Sequence, residues 1–328
     1  MRSVLSGLVG LALSACLVGV ARGDEGAAPV ETPPSAAAAE PTKKAEDPPK
    51  KDAKPAEKTK VTDPRLSWRW PKYKPYQFGL TLGSGALAVA SVAIPGQPNW
   101  TQPNAFDDAV RDVLRLSDPE SSLYARDASD VGLVLLLNLR IIDTVFVTWW
   151  FHGKGSTALQ MGLIDLQTIA FSASLNSFIA GVVGRERPYG RAICDEGDTA
   201  ESSDCKGNNR YRSFFSGHST AAFTMAALTC THHINIPMYG GGPREAIPCA
   251  VAMATATGVA LLRVVSDQHY LSDVIVGAAV GTAAGFGIPY AFHYAYPDSP
   301  LKTSLTRYGI DDFTLVATPL GVYAGGSF

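Results

Sequence analysis

The stretch "LLRVVSDQHYLSDVIVG", residues 261–277, places Arg263, His269 and Asp273 between two runs, 246–262 and 274–292, that contain no charged residue. An arginine and an aspartate in such surroundings cost desolvation energy unless each finds a partner, which marks the stretch as a site. His269 and Asp273 are four residues apart and so share one face of a helix. A carboxylate there can orient the imidazole and leave its second nitrogen free as nucleophile or base. Read alone, the pair is equally an ordinary feature of a helix surface. Arg263 ends the preceding apolar run, and "VVSDQ" reads as the turn between.

The flanking runs are long, uncharged and without strand alternation, so they read as helices, and four more segments share that character. The six lie at about 77–95, 131–150, 159–184, 218–234, 246–265 and 271–292, several of them near the roughly 20 residues that span a bilayer. The fold expected is all-α, a helical bundle of about six core helices. Between the first two segments, "NAFDDAVRDVLRLSDPESSLYARDASD" puts Phe106, Val110, Val113 and Leu114 on one face, an amphipathic connector helix. Asn138, Arg140, Asp143, Asp165, Gln167 and Asn176 interrupt the second and third segments, so those faces are expected to meet protein or water. The tail, "DDFTLVATPLGVYAGGSF", is Thr and Val rich with Gly and Pro punctuation, and suggests a short strand or hairpin.

The chain has 328 residues, 46% hydrophobic and 18% charged, with a net charge of -2. That is room for one main domain with tails, and the lack of a basic field gives no reason to expect nucleic acid as a partner. Residues 1–23 read as an export signal: Arg2, an uncharged stretch, then Ala21-Arg22-Gly23 as a small-x-small cleavage site. Leu13-Ser14-Ala15-Cys16 also fits a lipoprotein signal, and a permanent anchor helix is the other alternative. Residues 24–70 read as a disordered tether rich in Ala, Pro, Lys and Glu, because such a composition cannot offset chain entropy. The helical domain then covers 71–295 and a tail 296–328. Cys194 and Cys205 share one polar loop and read as a disulfide in an oxidising compartment. Cys230 and Cys249, in helical runs, read as small buried hydrophobes. No spacing suggests a metal site, and His232-His233 reads as a helix-end pair.

Two further clusters accompany the opening stretch. In "RSFFSGHSTAAFTMAAL", Ser216 is a plausible N-cap, Gly217 allows close approach, and the helix start offers N–H groups and a positive dipole end to an anion. A simple cap explains Ser216 and Gly217 but leaves His218 without a purpose. In "GVVGRERPYGR", Arg185 and Arg187 arrive together as a helix ends at Pro188, where arginines are also ordinary dipole complements. Jointly the clusters supply guanidinium groups to grip phosphate, a helix N-terminus to hold it and two histidines.

The order Arg187-Pro188, Ser216-Gly217-His218, Arg263-x5-His269-x3-Asp273 resembles the three-part signature of the type 2 phosphatidic acid phosphatase superfamily, which includes the vanadium haloperoxidases. The resemblance covers about 159–292. It implies His269 as nucleophile, Asp273 as its orienting carboxylate and His218 as general acid. It also implies a phosphate cradle of Arg187, Arg263, Ser216 and the Gly217 N–H. The family's lysine, seven residues before its arginine, is Ala180 here, and Arg185 is the expected substitute. Leu262 stands where the family has serine, and Phe215 where it has proline.

The function expected is a phosphatase, independent of metal and cofactor, that acts on a lipid phosphate or isoprenyl diphosphate at a membrane. A non-catalytic phosphate- or lipid-binding protein and a vanadium-dependent haloperoxidase are the rival readings. The location expected is a bacterial cell envelope, with the site facing the periplasm. Six spans after an exported N-terminus would instead put Arg187 in the cytoplasm, so either the Gly- and Ser-rich first segment does not span or the bundle is exported whole.

Overall fold

The computed structural model describes residues 63–102, 104–194, 205, 207, 209–295, 314–318 and 321–325. The signal segment 1–23 and most of the tether lie outside the described residues. From 63 onward the chain is packed rather than tether-like: Leu66 and Trp70 join Met161, Ile236, Met238, Tyr290 and Tyr294 in one apolar cluster. "RLSWRW" carries an apolar residue at every second position, which is what lets an otherwise charged stretch bury one side.

All six expected helices are present. They are α1 (Pro75–Val92), α3 (Pro119–Ile141, continued by a π-helical segment Ile142–Phe151), α4 (Gly155–Val183), α6 (Gly217–Asn235), α7 (Ala246–Val265) and α8 (Leu271–Pro289). The connector divides in two. Residues Ala105–Leu114 form α2, and Pro119 already begins α3, with the Asp118 carboxylate capping the Ser121 N–H. A short helix, α5 (Pro188–Ile193), follows α4. The fold is all-α, and the tail carries a hairpin, with β1 (Thr314–Thr318) antiparallel to β2 (Gly321–Gly325).

Helix α6 is the axis of the bundle and packs against α8, α7, α4 and α3. Its small Thr, Ser and Ala side chains permit close neighbours, and α8 approaches most closely. A Cβ on Gly277 of α8 would stand 2.6 Å from the Ser216 carbonyl oxygen, so only glycine fits there. That contact fixes the start of α8 beside the start of α6, where the expected site residues lie.

Among the described residues, four helical stretches are long and apolar enough to cross a membrane: Pro119–Phe151, Gly155–Val183, Gly242–Val265 and Leu271–Tyr294. Helices α1, the Gly- and Ser-rich segment whose spanning the sequence left open, and α6 are not among them. Large apolar side chains such as Val131, Val134, Leu135, Ile247, Val251 and Ile275 are exposed on the spans, the surface of a membrane-associated protein. The polar residues within the spans mostly turn inward, as expected. Arg140 pairs with Asp143 (3.2 Å) and Asp165 (3.0 Å). His232 meets Asp165 at 2.9 Å, and His233 bridges Glu245 (2.6 Å) and Asp143 (3.3 Å). Asn138 departs from that pattern: it is exposed, and its amide folds back onto the Val134 carbonyl at 2.8 Å. Cys230 and Cys249, expected as unpaired small hydrophobes, form a disulfide that ties α6 to α7, and Cys194 is bonded to Cys205.

Candidate active site

Three chain segments meet where α6 and α8 begin. Ser216 caps α6: its side chain accepts from the Ser219 N–H at 3.3 Å, and its own N–H donates to the Asp273 carbonyl at 3.0 Å. In a helix begun this way the next N–H groups, those of Gly217 and His218, have no partner within the helix. Asn176 of α4 braces the turn by donating to the Phe215 carbonyl at 2.6 Å, and a Cβ on Gly217 would lie 2.9 Å from its Oδ1.

His269 sits in the loop between α7 and α8. The turn needs a left-handed residue, supplied by Asp267 at φ 58°, a conformation that aspartate tolerates better than most side chains. The His269 Nδ1 donates to the Ser213 carbonyl at 2.9 Å, with Asp273 Oδ2 at 3.8 Å. A carbonyl oxygen can only accept, so the proton resides on Nδ1 and the Nε2 lone pair is left for substrate. The immediate orienting group is thus Ser213, with Asp273 one step behind it. Burial pushes the imidazole down to about 3, assisted by the nearby Arg187 and Arg263 and opposed by Asp273. His269 is therefore neutral at neutral pH.

Arg187 donates from Nε to the Asn209 carbonyl (3.0 Å) and from a terminal nitrogen to the Gln268 side-chain oxygen (3.3 Å). Arg263 reaches the same Gln268 oxygen at 3.4 Å, and also Ser129 (3.1 Å) and Asp130 (3.4 Å). Two guanidinium groups thus converge on one neutral oxygen beside His269, and the buried Nε–H of Arg263 has no partner among the described residues. That arrangement suits an anion. The His218 Nε2 lies 2.8 Å from the half-exposed Asp130. Burial lowers its affinity for a proton, Asp130 raises it, and Arg263 lowers it again.

Arg185 does not join this cradle, contrary to the sequence expectation. It is 1% exposed and sandwiched between the rings of Trp100 (4.1 Å) and Tyr270 (4.3 Å). Its terminal nitrogens donate to Asp273 Oδ1 (2.5 Å), Ser272 Oγ (2.8 Å) and Asp107 Oδ2 (2.6 Å). Two buried carboxylates hold it behind Asp273, with both terminal nitrogens engaged there. Ala180 is buried on α4, one turn beyond Asn176 and on the same face.

Sequence reasoning missed Ser213, Asp130 and Asp107. Each had a signal. Ser213 stands three residues before the cap serine, Asp130 is the last charge before an apolar run, and Asp107 falls with Arg111 on the polar stripe of the amphipathic connector.

Residues 162–297 match the family model of the PAP2 superfamily. Among solved structures, the chain is similar to a transmembrane PAP2-type phosphatidylglycerolphosphate phosphatase from Bacillus subtilis. The identity is 21%, over 65% of this chain and 93% of that one, with a TM-score of 0.42.

Proposed function

From the match of residues 162–297 to the PAP2 superfamily model and the geometry of the site, we propose that the chain is a phosphatase that hydrolyses lipid phosphate monoesters or diphosphates through a phosphohistidine on His269. The observation that carries the reading is a neutral, oriented His269 that directly follows Gln268, on whose side-chain oxygen Arg187 and Arg263 converge. In the first step Nε2 attacks phosphorus and the bond to the lipid oxygen breaks. His218, held through Nε2 by Asp130, gives its proton to the departing oxygen. In the second step His218 takes a proton from water, which attacks the phosphohistidine and releases inorganic phosphate. Arg187, the partnerless Nε–H of Arg263 and the first N–H groups of α6 hold the phosphoryl oxygens. With the phosphate charge met in this way the reaction needs no metal, and turnover should continue in EDTA.

The four apolar spans around the site support an amphiphilic substrate, with an isoprenyl diphosphate or phosphatidate as the class. The Cys194–Cys205 disulfide, at the site's end of the bundle, supports an oxidising compartment there. Cys194 follows the helix begun at Arg187, so the site is proposed to face that compartment, the periplasm of an exported envelope protein. The tether and the signal segment are part of the same proposal.

A second reading, a non-catalytic phosphate- or lipid-binding protein, is favoured by Ala180, since a site without the family lysine has one cation fewer. Single-turnover labelling separates the two. Phosphatidate labelled in the phosphate should give an acid-labile, base-stable phosphoenzyme that is absent in His269→Ala and diminished in Asp273→Asn. Normal turnover by His269→Ala would end the phosphohistidine reading, and binding without any labelling would favour the second.

A further inference from the structure

We propose that α2 lies in the surface of a lipid bilayer, its apolar face in contact with acyl chains, while its polar side clamps the loop that carries His269. Helix α2 has three distinct sides. The side toward the protein is polar. Asp107, buried, accepts from the Ser272 N–H (3.0 Å), the Ser272 hydroxyl (2.6 Å) and Arg185 (2.6 Å). One turn later Arg111 makes two 2.6 Å bonds to the Asp267 carboxylate. The second side is apolar and uncovered, with Phe106 55% and Val113 80% exposed, and Leu114 and Leu116 beyond them. The third carries Asp108 and Asp112. A soluble helix turns its apolar side to the protein and its charges to water. This one does the reverse with respect to the protein, as a helix lying in an interface plane does.

The level at which α2 sits supports a bilayer as the occupant. Its bond to Ser272 is at the start of one candidate span, and the lipid-facing Ile275 is three residues further on. Just after α2, the Leu116 N–H donates to the Val265 carbonyl (3.0 Å) at the end of another span, four residues beyond the exposed Leu261. At 1.5 Å of rise per residue, both contacts lie about 5–6 Å from the edge of the apolar belt. The apolar face of α2 thus continues the surface of the spans. A second protein copy fits less well, because three exposed apolar side chains on a ten-residue helix, with Leu116 just after it, cannot bury the roughly 1,000 Å² of a specific protein interface. Both polar clamps grip residues next to His269 in sequence, Asp267 and Ser272, so contact with lipid bears directly on the order of that loop.

The inference goes beyond the phosphatase reading and stands without it. It is tested on the full chain in phosphatidylcholine vesicles, with and without lipid brominated on the acyl chains, using Val113→Trp and Asp112→Trp and reading the emission each adds to the parent. The Val113→Trp increment should be quenched by roughly half or more and the Asp112→Trp increment hardly at all, as expected for a helix half sunk in the interface. Equal quenching of the two would overturn the proposal, whether the Val113→Trp emission is red as in water or blue as in a protein interface. In the same vesicles Val113→Asp should lower turnover of long-chain phosphatidate several-fold while sparing a short-chain, water-soluble phosphate ester. Parental rates on both substrates would also overturn it. No turnover by the parent would remove the phosphatase reading and leave the quenching to decide this one.

Discussion

Replacing Arg185 with methionine keeps the bulk of the side chain and removes the charge between Asp107 and Asp273. Both carboxylates are fully buried, at 2.6 and 2.5 Å from the guanidinium. Breaking a buried pair by removing one partner costs about 3–5 kcal/mol, because a charge remains without compensation. Two desolvated cation–π contacts, to Trp100 and Tyr270, add to the loss at up to about 2 kcal/mol each, less than additively. The total is a large fraction of a typical net stability of about 5–15 kcal/mol. Thermal unfolding in detergent, followed by tryptophan fluorescence, should show Arg185→Met melting well below the parent. The double variant Asp107→Asn with Arg185→Met should recover part of that loss, since one of the two stranded charges is gone. A cradle role predicts a different result: an unchanged Tm, with a raised KM and weakened inhibition by inorganic phosphate. That outcome would refute the placement of Arg185 behind Asp273.

The remaining expectations concern pH, the missing cation and the disulfide. Attack requires neutral His269 and protonated His218, so kcat/KM should fall as pH drops through about 3, where the nucleophile takes up a proton. It should fall again as pH rises through a His218 value below the ordinary one, giving an acidic optimum in a pH–rate profile; an optimum above about pH 8 would contradict the assignment. With Arg185 committed elsewhere, Ala180→Lys should raise kcat about tenfold or more, because a cation aimed at developing charge contributes about 2–4 kcal/mol; a folded variant without gain would show that the site does not lack that charge. Replacing Cys230 and Cys249 together by alanine should cost about 3 kcal/mol, the loop-closure value for a bridge of this span, read as a lower Tm with kcat preserved.

The helices were legible because each is a long apolar run without alternation, a signal that needs no partner to be seen. Their edges were not. Helix α3 starts at Pro119, well before the apolar run, since its first three turns are polar and only the Asp118 cap and Pro119 announce them. The His269–Asp273 pair and the cap were readable from spacing, as His269 with Asp273 and Ser216 with His218 are local arrangements. What escaped was long range. Asp107 meets Ser272 across 165 residues and Arg185 across 78, and His218 meets Asp130 across 88. Cys230 and Cys249 pair between two helices whose faces the sequence does not match to each other.

Arg185 shows why a motif alone could not assign the charges. "GRERP" brings Arg185 and Arg187 to the same helix end, as expected, and both reach the loop that carries His269. They reach it on opposite sides of the histidine: Arg187 contacts Gln268, and Arg185 contacts Tyr270, Ser272 and Asp273. What separates their work is the charge each meets. Behind Asp273, one guanidinium faces two carboxylates that together outweigh it, so its field is spent on holding Asp273 in place. In front, Arg187 and Arg263 share one amide oxygen, and Asp130, the carboxylate bonded to Arg263, is half exposed and bonded to His218 as well. The charge of Arg263 is therefore less fully neutralised than that of Arg185. A buried carboxylate at position 107, far away in sequence on a helix that otherwise turns its apolar side outward, is what holds Arg185 behind Asp273 instead of beside Arg187 and Arg263.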